Sequence, residues 1–447
     1  MQLLNNTKRF LWLGSASIIF YAVGFLTPHD DAMAAGYFVR EQGSALQGAS
    51  YAGVTAETGA LSAVFFNPAT LANFNQSEVS VDAALIAPTI DFTVTDTTIG
   101  NLTSPTGSTS GDAGVFALVP ATSGVYPINE DWNVGFTLNA PFGLTTDYGE
   151  DWAGRYHATE SSLTTISFSP LASYKANQSL SFGFGPTLQY MQGELVSMVN
   201  QADIATAFSI LGTYEDGRST LSATALGYGA VAGMQYQPNE KTVVGASYRS
   251  RVKHKLDGDI DFDNIDSIIA GVASGAFDDT DASTEITTPD MISMGVQHQL
   301  SDHIRLLGEF SWTNWSLFDQ LIIEKDNGAA DSVRDYHYED SIFVAAGAIY
   351  HLDPNTDLQF GLAYDQQADR GDDEVSFSIP DADRIWMSSG LQHQTSTGMV
   401  MSLGYSLVNT EDFTTTAEGT TSSQAGNVTV DFNNAVHILN MGLQFRW

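Results

Sequence analysis

The side chains able to do chemistry in this 447-residue chain are 52 acidic, 17 basic and nine histidine groups, with no cysteine among them. Without cysteine there is no disulfide scaffold, no thiolate zinc site and no thiol nucleophile. His157, His254, His298, His303, His337, His351 and His393 are scattered, mostly near strand ends, and lack the close pairing of a zinc site. Neither H-E-x-x-H nor G-x-S-x-G occurs. A hydrolase can assemble Ser, His and acid from separate strands without such a motif, so the enzyme reading stands as a distant alternative to a chain with no catalytic residues and no cofactor. The acidic runs Asp278-Asp279-Thr280-Asp281 and Asp369-Arg370-Gly371-Asp372-Asp373-Glu374 lack the ligand spacing and glycine of a calcium loop. They read as solvated charge, with no metal site.

The charge balance narrows the partners. A net charge of -35 and a pI near 4.2 make nucleic acid a poor partner, since phosphate binding needs clustered Lys and Arg. Yet charged residues make up only 15% of the chain, well under the roughly one quarter typical of soluble domains. Lys8 and Arg9 precede an apolar stretch over residues 10–26, and Ala32-Met33-Ala34 forms a small-x-small site before Ala35. The pattern predicts a secretory signal at residues 1–34, with an uncleaved anchor as the alternative. Two basic and two acidic side chains leave with it, so the mature charge stays at -35.

The elements that position any site are strands. Leu180, Phe182, Phe184, Leu188 and Tyr190 alternate with small or polar residues, as do Leu358 to Tyr364 and Met399 to Leu407, the period-two pattern of strands with one apolar face. Short polar turns recur near residues 129–131, 176–178, 238–240, 301–302, 353–355 and 396–398. Long polar stretches lie near 94–112, 143–162, 193–224, 252–288, 316–340, 366–383 and 409–433. Turns at one end and loops at the other mark an outer-membrane barrel. Six turns and seven loops make thirteen connections and hence fourteen strands. A closed sheet is the only way such a chain can span hydrocarbon with every backbone group paired. The expected fold is all-β: a 14-stranded antiparallel transmembrane β-barrel over residues 77–447, ending on Leu439, Met441, Leu443, Phe445 and Trp447. That aromatic terminus resembles the signal read by barrel-assembly machinery. Residues 35–76, rich in Gly, Ala and Ser, do not alternate; Asn67 can cap a helical turn beginning at Pro68. Too small for a core of its own, the segment is expected to plug the lumen as a hatch. A flexible periplasmic extension is the alternative.

Several motifs then point one way. Asn67-Pro68-Ala69 resembles the hatch motif of the FadL-type long-chain fatty-acid transporters, and Ala140-Pro141-Phe142-Gly143-Leu144 with Trp152-Ala153-Gly154-Arg155-Tyr156-His157-Ala158 resembles their third strand and its loop. Tyr248 to His254, Thr313 to Phe318, and Ile379-Pro380-Asp381-Ala382-Asp383-Arg384 resemble three further signatures in the same order. The likeness runs from Ala35 to Trp447. It implies a monomer of the bacterial outer membrane, set among its lipid and lipopolysaccharide, that passes fatty acids or hydrocarbons through a gated lumen and out sideways at a kink formed by Pro141, Phe142 and Gly143. Proline lacks a ladder donor and glycine leaves the backbone unrestrained, which favours such a kink. Asn139 is expected to satisfy the backbone that the kink frees, and Pro186 to form an ordinary bulge. The resemblance also implies a basic contact to a carboxylate. One family position falls on Ser197, a departure; the other falls on Arg334, with Arg155 and Arg384 as substitutes. A general diffusion porin, or an adhesin or structural barrel, is the competing reading.

Overall fold

The computed structural model describes residues 36–98, 107–273, 275–369, 375–419 and 425–447; the expected signal at 1–34 and most of the second acidic run lie outside them. Fourteen wall strands close one antiparallel sheet. In chain order they are β1 (Glu78–Thr98), β2 (Ala117–Pro127), β3 (Trp132–Asn139 and Gly143–Asp147), β4 (Glu160–Asn177), β5 (Leu180–Val199), β6 (Gly217–Asn239) and β7 (Thr242–Arg249 and Val252–Asp263). The circuit continues with β8 (Thr280–Thr288 and Met291–Ser301), β9 (Ile304–Thr313), β10 (Ser341–Asp353), β11 (Thr356–Asp365), β12 (Arg384–Gln394), β13 (Val400–Thr410) and β14 (Asn427–Arg446). β1 pairs along its length with β14, from Glu78 opposite Arg446 upward, so the sheet has no free edge and no unpaired ladder faces lipid.

Its faces are inverted relative to a soluble sheet. On β5, Phe182, Phe184, Leu188 and Tyr190 stand exposed on the outside while Ser181, Thr187 and Gln189 between them are buried in the lumen. All six short connections fall where the polar turns were expected. The long connections are shorter than the polar stretches suggested: β5 runs to Val199, β6 starts at Gly217, and residues 252–263 and 280–288 are paired strand. Hydropathy alternation fades beyond the lipid band, but the backbone ladder does not.

Residues 36–76 lie inside the barrel as four 3-10 turns, Gln47–Ala49, Val54–Ala56, Leu61–Phe65 and Pro68–Asn73. They sit close because the wall offers glycine where they touch it. A Cβ on Gly183 would strike Pro68 and Ala69, on Gly233 Asn67, on Gly245 Thr55, and on Gly361 Ala49. Asn67 joins three parts at once. Its side-chain oxygen accepts from Ala69 N–H (3.0 Å), and its amide donates to the carbonyls of Thr55 (2.7 Å) and Met234 of β6 (3.0 Å). Wall side chains reach back: Asn133 Nδ2 donates to the Phe74 carbonyl (2.8 Å), and Glu309 accepts from Thr55 N–H (3.2 Å).

Asn67→Asp keeps the acceptor that caps the turn but removes both donors. We expect a loss of about 1–3 kcal/mol from the two stranded carbonyls, seen as faster hydrogen exchange at residues 69–73, with the barrel's heat-dependent gel shift unchanged.

Candidate gate and ligand cavity

Proline at 141 breaks the wall. The β2–β3 ladder ends at Thr122 opposite Leu138. β3 and β4 pair as far as Asn139 opposite Ser167 and resume at Gly143 opposite Thr164, which leaves three residues of β3 against two of β4. Phe142 N–H donates to Thr165 Oγ1 (2.9 Å) and its carbonyl accepts from Thr165 N–H (2.9 Å). On the β2 side the freed backbone is taken up by the first residues of the hatch. Val39 N–H donates to the Pro141 carbonyl (2.9 Å), Gly143 N–H donates to the Tyr37 carbonyl (2.9 Å), and Phe38 bridges Phe142. The Gln42 side chain accepts from Ala140 N–H (3.1 Å) and donates to the Ala140 carbonyl (2.7 Å).

Two expectations are corrected here. Asn139 does not serve the kink: among the described residues neither of its side-chain atoms has a hydrogen-bond partner, and Gln42, reaching from the hatch with a longer side chain, does that work. Pro186 makes no bulge. It pairs with Ala230 of β6, and the β4–β5 register is the same on either side of it, at Phe168 opposite Leu188 and Ala172 opposite Phe184. Ser169 and Thr187 bridge the gap by their hydroxyls (2.8 Å).

Behind the break lies an apolar cavity of about 60 Å³. Tyr37 of the hatch, Leu144 of β3, Leu163 of β4, Leu195 of β5, Leu256 of β7 and Phe318 of the loop after β9 supply carbon to its wall. Phe142 packs between Tyr37, Phe38 and Trp315 at ring separations of 5.4–6.3 Å. Above, Tyr148 stacks on Trp152 (4.4 Å) and donates its hydroxyl to the Phe377 carbonyl (2.9 Å), while Trp152 Nε1 donates to the Ala158 carbonyl (2.7 Å). The Trp152 to Ala158 motif is thus a self-tied cover.

The three candidate cations differ. Arg334 stands opposite the cavity residue Leu321 in a loop hairpin, and its Nη1 donates to Ser378, another cavity residue (3.2 Å). Among the described residues no carboxylate forms an ion pair with it. Arg155 is held by Asp216 (2.7 Å) and Arg384 by Asp381 (2.9 Å) and Asp365 (3.8 Å). Both are buried and neutralised, which leaves Arg334 the one of the three open to a ligand. Ser197 pairs with Ser219 of β6 and brings no charge. Near the rim, burial and the Arg334 charge hold the His157 imidazole below its ordinary pKa, and its Nε2 contacts the Gly426 carbonyl (2.9 Å). Among the described residues no His, Asp and Glu cluster could hold a metal ion; Asp279 instead accepts from Phe262 N–H (2.9 Å).

Two carboxylates matter whose roles the sequence did not show. Asp290 accepts from Tyr248 OH (2.7 Å), Arg251 N–H (3.0 Å), Arg251 Nε (2.8 Å) and Asn314 Nδ2 (3.2 Å). The Tyr248 to His254 and Thr313 to Phe318 motifs therefore meet on one residue, signalled in the sequence by the Pro289-Asp290 interruption of β8. Asp381 accepts from Gly36 N–H (3.1 Å) and Ala368 N–H (2.7 Å) besides Arg384, tying the start of the hatch to the loop above it.

Known proteins share this plan. A long-chain fatty acid transport protein of Escherichia coli is 28% identical over 380 residues, covering 81% of this chain and 84% of its own. Among solved structures, a Pseudomonas aeruginosa FadL homologue superposes with a TM-score of 0.84 at 21% identity, over 92% of this chain and 99% of that one. The Ralstonia pickettii toluene transporter TbuX gives 0.62 at 18%, over 91% and 99%. The sequence profile of the family described as outer membrane protein transport protein (OMPP1/FadL/TodX) matches residues 28–447. Hatch, kink and all fourteen wall strands fall within that match, and the chain belongs to this family of outer-membrane transport proteins.

Proposed function

We propose that the protein carries long-chain fatty acids or similar hydrophobic compounds passively across the outer membrane, through a lumen gated by the hatch and with lateral exit at the β3 kink. The observation that carries this reading is the wall break behind which the apolar cavity lies, filled by the hatch's own first residues rather than by a neighbouring strand. Binding needs carbon walls with few polar groups to orient one end, and burial contributes about 0.8 kcal/mol per methylene. A solute held that well must be released by a change in the site, and withdrawal of residues 37–39 from the kink both enlarges the cavity and opens its wall. The names of the relatives, a fatty acid transport protein and a toluene transporter, fit a solute of this class. A diffusion porin needs an open lumen, and residues 36–76 fill this one. The reading includes no enzymatic step. It includes a monomer among outer-membrane lipid and lipopolysaccharide, assembled through its Trp447 terminus.

Uptake of radiolabelled oleate and of toluene by a deletion strain, with and without the restored gene, tests the function; equal rates for both solutes would sink it. Arg334→Ala removes a charge-assisted contact worth about 1.5–3 kcal/mol, so oleate binding to the purified barrel should weaken by roughly ten-fold or more while toluene binding holds. Equal losses for both would assign Arg334 to folding. Pro141→Val with Gly143→Val restores a donor and a strand-forming side chain. Uptake should fall while the barrel folds and binds oleate, and normal uptake by this variant rules out the lateral route.

A further inference from the structure

The wall has another seam that the ladder leaves open, between β6 and β7. These strands pair up to Val231 opposite Arg249 and again from Thr224 opposite Asp257. Between those points residues 225–230 of β6 face residues 250–256 of β7 without a ladder pair. Six residues stand against seven, so β7 carries an extra residue here, as β3 does at its kink. The other edge of β6 is unbroken, and that of β7 is interrupted at Ser250 and Arg251, opposite Pro289 and Asp290 of β8. β6 pairs with β5 from Leu180 opposite Tyr236 to Val199 opposite Gly217, and the outer half of β7 pairs with β8 from Val252 opposite Thr288. Two bonds cross the seam at its lower end, from Ser250 N–H to the Ala230 carbonyl (2.9 Å) and from Ala230 N–H to Ser250 Oγ (2.9 Å).

Side chains fill what the ladder does not. Gly227 and Gly229 leave a trough on β6, and Val252 and His254 lie in it. A Cβ on Gly227 would stand 2.5 Å from Val252 Cγ1 and 2.9 Å from His254 Nε2, and one on Gly229 2.8 Å from Val252 Cγ2. His254 is wholly buried. A seam closed by two side chains opens by their rotation, whereas a laddered one must break backbone bonds.

The two sides of the seam match an amphiphile. Inside, Leu256, Ala223 and Leu221 are wall residues of the cavity. Outside, Leu226 and Tyr228 present carbon, Tyr228 being 72% exposed, and Arg251, Lys253 and Lys255 occupy consecutive outward positions of β7. Such aromatics and cations mark the headgroup level of a bilayer. In a chain with only 17 basic residues, three on one lip form a local reversal of charge. Arg251 is engaged by Asp290. Lys253 meets Glu285 (2.6 Å) with both side chains half or more exposed, a pair that water and another carboxylate readily exchange. Among the described residues Lys255 has no ion-pair partner.

We propose that the β6–β7 seam is a second side port, through which a long-chain carboxylate exchanges between the cavity and the outer leaflet, its tail between Gly227, Gly229, Val252 and His254 and its head held by Lys253 and Lys255. The proposal rests on the hydrophobic uptake argued above. Because the chain has no cysteine, paired cysteines can lock each opening separately: Gly229→Cys with Val252→Cys across the seam, and Phe38→Cys with Phe142→Cys across the β3 break. Oleate uptake by the deletion strain is measured for each lock, oxidised and then reduced. The seam lock should cause a partial loss that reductant restores, the β3 lock likewise, and the two together a nearly complete loss. An oxidised seam lock with full uptake, beside a β3 lock that abolishes it, overturns the second port and leaves the uptake reading intact. Full uptake with both locks closed overturns the port together with the lateral route. As a variant that leaves the wall untouched, Lys253→Gln with Lys255→Gln should slow oleate several-fold and leave toluene unchanged; equal rates for wild type and variant overturn the cationic lip.

Discussion

In hydrocarbon every backbone N–H and C=O needs a partner from the protein, and the rest of this structure follows from how that demand is met. Most of the wall meets it with a closed ladder. Where Pro141 and an extra residue interrupt β3, the demand passes to residues 37–39 and to Gln42, so the opening in the wall and the segment that fills it are parts of one hydrogen-bonded arrangement. A break of this kind is stable only while its substitute partner is in place. That is the property a gate requires.

The lumen is built on the opposite principle to a soluble core. Its wall is small and polar, and glycines admit the backbone of the hatch, so turns with little side-chain bulk can fill a space that large residues would overfill. The carbon that a soluble protein hides is turned outward to lipid. An apolar cavity lies between the hatch and the covering loops, where Leu144, Leu163, Leu195 and Leu256 turn inward together.

Much of this plan was legible in the residues. Period-two alternation reports a face, and six polar turns report where strands reverse. Asn67 before Pro68 reports a cap, because the chemistry is local. What failed to show was set by contacts far apart in sequence. Strand extensions such as residues 252–263 lack an apolar face, so only pairing reveals them. Gln42 lies 98 residues from its partner at Ala140, and nothing near either residue favours it over Asn139. Arg155, Arg334 and Arg384 look equivalent as letters; Asp216, Asp365 and Asp381 make them different by neutralising two of the three. The β6–β7 register shift is invisible for the same reason, since each strand is regular taken alone.

Asp381 carries a consequence of its own. One carboxylate accepts from Gly36, at the head of the segment that fills the wall, and from Ala368, in the loop over the cavity. Moving either donor away leaves a buried anion short of a hydrogen bond, which raises the free energy of the state in which the other donor still holds. Roof and side wall are therefore tied to one oxygen: when either donor leaves, the anion holds the remaining one more tightly, so a loop lifted from outside would keep the wall segment in place rather than free it, and by reciprocity a freed wall segment would hold the roof down.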